Sequence, residues 1–145
     1  MVIKITVPGD PVAKGRPRFT RTGRSYTPRK TENYENLIRL AYDLQNPDRD
    51  PAEGPITISV TAYFQIPTSW SKKKQAAAAK QEVPKISKPD LDNCLKSVFD
   101  GLNKVAWKDD SQIDEIHAWK KYSERPRIEI EIETEEERNE RTVDQ

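Results

Sequence analysis

Cysteine is nearly absent from this 145-residue chain: Cys94 stands alone. No disulfide can form within the chain, and a reducing compartment suits it. Long apolar runs are missing too. The start, MVIKITVPGD, lacks the apolar stretch of a signal peptide, and no window approaches the roughly 20 apolar residues of a membrane helix. The expectation is a cytoplasmic protein with no membrane partner. A net charge of only +1 means that bulk charge excludes neither acidic nor basic partners. Apolar residues make up 34%, no more than the charged ones at 34%, so a chain of this length builds one domain around a modest core. There is no internal repeat and no linker long enough to divide it. Residues 1–134 are expected to form one domain, and the polar, acid-rich residues 135–145 a frayed tail.

What is present is organised by charge. VIKITVP alternates apolar and polar residues and reads as a strand ended by Pro8, Gly9 and Pro11. Then comes KGRPRFTRTGRSYTPRK, which carries Lys14, Arg16, Arg18, Arg21, Arg24, Arg29 and Lys30 without one acid. Gly15, Pro17, Gly23 and Pro28 exclude a long helix there, and Phe19 and Tyr26 are interleaved with the bases. Such a run is often a mere solvated face. The aromatics among seven bases favour contact with a phosphate backbone instead, with no sign of a base-reading code.

Thr31 is placed to cap a helix with Tyr34, Leu37, Ile38 and Ala41 at helical spacing. PITISVTAYFQIP is the clearest strand of the chain. SWSKKKQAAAAKQ has helical propensity with almost only alanine to bury, so it should lie outside. A helix is expected from Asp92 to about Lys104, with Leu95, Val98, Phe99, Leu102 and Val105 as its buried stripe. QIDEIHAWKKY and RIEIEIE read as two strands joined by the turn SERPR. Trp107 and Trp119 are expected in the core, with Trp70 less buried; Cys94 reads as an inert thiol and His117 as structural.

The acids collect in two places. KPDLDNCLK puts Asp90 and Asp92 two positions apart, and WKDDSQ puts Asp109 and Asp110 side by side. Ser87 with Asp90 fits a helix-capping pattern, and Asp92 with Lys96 fits an ordinary i,i+4 ion pair. Alternatively, an extended chain through Leu91 would aim Asp90 and Asp92 to one side, and the loop after the helix would return Asp109 or Asp110 to them. Carboxylates gathered at one point need a cation. With oxygen ligands and no cysteine or histidine in the set, Mg²⁺ or Mn²⁺ suits them. On this reading the acids hold metal and the basic loop holds nucleic acid.

The stretch KPDLDNCLKSVFDGLNKVAWKDDSQI closely resembles the RusA-type Holliday junction resolvases, and VPGDPVAKGRPRFTRTGRSYTPRKTENYE and IPTSWSKKK are similar to the corresponding parts of that family. The resemblance covers residues 1 to about 133. It implies a compact α+β domain, a mixed sheet packed with two main helices, acting as a homodimer on four-way DNA junctions. It implies that Asp90, Asp92 and Asp110 are the metal-binding acids and Lys96 an essential helix lysine, with Asp109 a less decisive neighbour. Counting does not choose between Asp109 and Asp110 as the main ligand. Lys96 would offset charge in the transition state, and Asp100 would orient it. The expected activity is paired nicking of junctions. The alternatives are a catalytically silent DNA-binding protein of the same fold, and a Mg²⁺-dependent nuclease for other branched DNA or RNA.

Overall fold

The computed structural model describes residues 2–16 and 18–143. Pro17, read above as a helix breaker, and the last two residues of the tail lie outside the described residues. In chain order the elements are β1 (Ile3–Pro8), β2 (Arg18–Phe19), β3 (Ser25–Tyr26), α1 (Arg29–Gln45), β4 (Ile56–Gln65), α2 (Lys72–Ala79), α3 (Leu91–Leu102), β5 (Ile113–Ser123), β6 (Arg127–Glu133) and α4 (Glu135–Val143). The main sheet runs β1-β6-β4-β5; β6 is antiparallel to both its neighbours and β4 is parallel to β5. This is a mixed sheet in an α+β domain. β2 and β3 form a separate two-stranded ribbon.

Alternation decides which face is buried. Ile3, Ile5 and Val7 of β1, Ile58, Val60 and Ala62 of β4, and Ile128, Ile130 and Ile132 of β6 share one face and are buried. They join Tyr34, Ile38 and Tyr42 of α1 and Cys94, Val98 and Leu102 of α3 in one core. β5 and β6 are linked by a short turn yet are not neighbours, because β4 lies between them. β4 is the most thoroughly buried strand, and lying between two strands pairs its backbone on both sides.

The buried stripe of α3 is rotated from the expected one. Cys94, Ser97, Val98, Gly101 and Leu102 are buried, while Leu95 and Phe99 are half-buried at its margin. The reason is the close crossing of α1 and α3. A Cβ on Gly101 would lie 3.1 Å from the Ile38 side chain and 3.2 Å from the Glu35 carbonyl. Arg39 of α1 closes the crossing, its Nε donating to the Gly101 carbonyl at 3.1 Å. α1 begins at Arg29 with Pro28 at the N-cap, not with Thr31. Thr31 is buried inside the helix and its hydroxyl accepts from the Gly15 N–H at 3.0 Å. Trp107 is fully buried as expected, but Trp119 is 46% exposed, because its register on β5 puts it on the solvent face.

At the far edge of the sheet, Gln45 at the end of α1 reaches β1. Its Oε1 accepts from the Thr6 N–H at 2.8 Å and its Nε2 donates to the Thr6 carbonyl at 2.9 Å.

Residues 135–143 are helix α4 rather than a frayed tail. Thr134 N–H donates to Glu137 Oε2 at 3.1 Å, and Arg138 Nε donates to Thr57 Oγ1 at 2.7 Å while its Nη1 reaches Asp114 at 3.2 Å. Ending the chain after Glu133 is therefore expected to lower Tm by at least about 3 °C, the shift that roughly 1 kcal/mol makes in a domain of this size. An unchanged calorimetric midpoint would make α4 an ornament.

Candidate metal and nucleic-acid site

Residues 87–89 approach α3 without regular structure, and two lysines hold them. Lys120 Nζ donates to the Ser87 and Pro89 carbonyls, both at 2.9 Å, and Lys85 Nζ donates to Ser87 Oγ at 2.7 Å and the Lys88 carbonyl at 2.8 Å. Burial, and then the charge of Lys120, hold the Lys85 ammonium below the ordinary lysine pKa. Lys120 stands on β5 at an inward position, between Ala118 and Tyr122. A lysine where alternation calls for an apolar side chain is the sequence signal that would have marked it.

That segment delivers Asp90 to the N-cap of α3, so the chain is helical from Leu91 and not extended through it. Ser87 does not cap the helix. Asp90 has extended N-cap dihedrals, φ −69° and ψ 143°, yet its carboxylate makes no capping hydrogen bond. It is paired only loosely with Lys88, at 3.5 Å and in the open. Asp92 follows in the first turn and Lys96 one turn later; both are exposed. Neither side chain has an ion-pair partner among the described residues, so the surface i,i+4 bridge between them is not made.

Cys94, directly below, is buried. Its pKa is pushed up to about 11, chiefly by burial; Lys120 and Lys85 pull it down, and Asp92 and Asp90 push it up. It is an inert thiol, as expected.

Asp109 and Asp110 follow the end of α3 and have different partners. Asp109 caps the short 3₁₀ turn Asp110–Gln112, accepting from the Ser111 N–H at 3.0 Å while its own N–H donates to Gln112 Oε1 at 2.8 Å. Its hydrogen bonds with Ser111 hold its carboxyl below the ordinary range. Asp110 instead accepts from the buried Trp107 indole N–H at 2.7 Å. Burial raises its pKa, the Trp107 bond opposes this, and Asp100 and Asp109 add to the rise. Asp109 is thus spent on local structure, and Asp110 is the half-buried, oriented acid. The two acid pairs are not gathered at one point: among the described residues, no three Asp, Glu, His or Cys side chains are close enough to share an ion.

The basic segment lies against this helix. Lys14 N–H donates to the Asn93 carbonyl at 2.9 Å, and Lys14 Nζ bridges Glu35 at 2.7 Å and Asp100 at 2.9 Å. Burial works against that ammonium, but the two carboxylates outweigh it and its pKa is raised. Asp100 therefore serves Lys14 and not Lys96. Arg16, Arg18, Arg21, Arg24, Arg29 and Lys30 are exposed and have no carboxylate partner among the described residues. Arg16, Arg18, Lys30 and Lys88 line one cleft of about 650 Å³, floored by Pro11, Val12, Pro28 and Pro89. The cleft ends one residue before Asp90, so a row of exposed cations leads directly to the acids at the start of α3.

The comparisons with known proteins decide the family. The profile described as Endodeoxyribonuclease RusA matches residues 8–133. This chain belongs to the RusA endodeoxyribonuclease family. The chain is 39% identical over 135 residues to the Uncharacterized protein YqaN of Bacillus subtilis (strain 168), covering 90% of this chain and 94% of that one. It is 36% identical over 110 residues to the Crossover junction endodeoxyribonuclease rusA of Lactococcus phage r1t, covering 74% and 75%. Among the described residues, no helix is long and apolar enough to cross a membrane.

Proposed function

We propose that this protein is a Mg²⁺-dependent endodeoxyribonuclease that resolves four-way DNA junctions by paired nicking as a homodimer. The observation that carries the reading is Asp90: an N-cap aspartate that leaves its own helix uncapped, beside a free Asp92, at the end of a cationic cleft. Mg²⁺ takes one or two carboxylates and fills its remaining positions with water and substrate phosphate, which suits a pair better than a closed cage. Asp90 and Asp92 would hold the ion, with Mn²⁺ able to replace it, and Asp110 would complete the set once the loop after α3 brings it to them. When bound, it would activate a water and stabilise charge on the scissile phosphate.

The chain's own side chains do the rest. Lys96 presents an ammonium without an ion-pair partner among the described residues, one turn from Asp92, and offsets charge that develops on the phosphate. The arginines of residues 16–29 hold the backbone on either side. Two cuts on opposed strands need two sites related by a two-fold axis, and a homodimer supplies them. Incubation with Mg²⁺ and an end-labelled four-way junction tests the reading: paired nicks are expected, and a protein that binds the junction but leaves it intact with both Mg²⁺ and Mn²⁺ is not this nuclease.

Neutralising Arg16, Arg18 and Arg21 together is expected to weaken binding to junction and duplex alike and to flatten the log–log salt dependence by up to about three units of slope. An unchanged slope in a salt titration would move the DNA elsewhere. Lys120→Met keeps the stem but removes the donor from two carbonyls next to Asp90. It should raise the Mg²⁺ concentration for half-maximal cleavage about tenfold, as loss of outer support does at metal sites. Equal Mg²⁺ requirements for variant and parent would make Lys120 a brace of the fold alone.

A further inference from the structure

We infer that the β2–β3 ribbon carries a stacking element for an unstacked DNA base, with Phe19 as its contact, and that this element distinguishes branched from continuous DNA. The inference rests on the nuclease reading above.

Every residue of the two strands is exposed, so the ribbon buries nothing of its own. Its turn is nevertheless well made. Thr20 N–H donates to the Arg24 carbonyl at 2.8 Å, Gly23 N–H donates to the Thr20 carbonyl at 3.0 Å, and Gly23 takes φ +84°, which a side chain would resist. The register pairs Arg18 with Tyr26 and Phe19 with Ser25. Tyr26 and Arg18 line the clefts beside α1, so their face of the ribbon looks toward the body of the protein. Phe19 points the other way and is 71% exposed. An aromatic ring held in water on this ribbon contributes nothing to a core.

Its surroundings say what it would meet. Arg18, Arg21 and Arg24 are exposed cations without carboxylate partners among the described residues, and they bring a phosphate backbone to the ribbon. Continuous B-form DNA hides the faces of its bases. A branch point or an unpaired stretch exposes them, and a bare aromatic face among phosphate-binding arginines takes such a base by stacking, without regard to its identity.

The test compares wild type, Phe19→Ala and Phe19→Trp on a four-way junction and on a duplex of the same sequence, by fluorescence anisotropy without divalent metal. A second junction carries 2-aminopurine at the branch. Phe19→Ala is expected to lose about tenfold in junction affinity, the worth of one base–aromatic stack. Its duplex affinity should stay within about twofold, because arginines carry it. Phe19→Trp should restore junction binding, and 2-aminopurine emission should change with wild type and Phe19→Trp but not with Phe19→Ala. If wild type prefers and nicks the junction while Phe19→Ala keeps both its preference and the emission change, the stacking element is overturned and the nuclease reading stands. Equal losses on junction and duplex also overturn it. A wild type that neither prefers nor nicks the junction overturns both.

Discussion

Asp92→Asn protein is expected to bind a four-way junction at least as tightly as the parent and to nick it at least about a thousandfold more slowly. The substitution keeps the size and first-turn position of the side chain and removes its charge. Asp92 is exposed and has no partner among the described residues, so no packing or ion pair is lost with it. On the proposed reading, what is lost is a metal ligand. Outer supports of such ligands already cost 10- to 100-fold, and a ligand itself costs more. Binding is unchanged or tighter because a negative charge next to phosphate has gone. Asp110→Asn should behave the same way, although its carboxylate is held by Trp107 and its neighbours are Asp100 and Asp109. Single-turnover cleavage and gel-shift titration separate the two quantities. Parallel loss of binding and cleavage in a folded variant would mean that the acids organise the protein and not the chemistry.

Lys96→Ala is expected to slow nicking by about a hundredfold or more, the scale of losing one electrostatic stabiliser of a transition state. Junction affinity and Mg²⁺ requirement should be little changed. A surface lysine paired to its i−4 acid would be worth a few tenths of a kcal/mol and nothing to catalysis. Among the described residues Lys96 has no ion-pair partner, because Asp100 is taken by Lys14 and Asp92 stands apart. Lys96→Arg keeps the charge on a broader head and should recover part of the rate. A variant that cleaves at the parental rate would return Lys96 to the ordinary surface.

The parts legible in the sequence are those whose cause is local. The alternation of β1, β4 and β6, the cation run before α1 and the acids at the start of α3 follow from spacing alone. The rest depends on partners far along the chain. The inward Lys120 meets the carbonyls before Asp90 across 31 and 33 residues. Arg138 meets Thr57 across 81, so a charge-rich end that composition reads as solvated becomes a docked helix. Its start was marked all the same, by Thr134 and Glu137 in capping register. The rotation of α3 was hidden for another reason. Leu95 and Phe99 outweigh Cys94 and Gly101 on any hydropathy count, but the crossing with α1 selects the small residues because only they let the backbones meet.

Gln45 has a consequence for how copies of this chain can meet. A strand at the margin of a sheet offers a row of unpaired amides to any extended peptide, which is how sheets polymerise. At Thr6 that offer is already taken: one glutamine side chain, giving a donor and accepting one, imitates the amide of a missing neighbour. A strand from another molecule could add to β1 there only by first evicting it. The opposite margin, β5, has no such plug among the described residues, and is guarded instead by the charges of Asp114, Glu115 and Lys121. Growth of this sheet into fibrils, or its continuation across two subunits, is thus steered away from β1, and Gln45→Ala should make the protein more prone to aggregate without touching a residue that handles DNA.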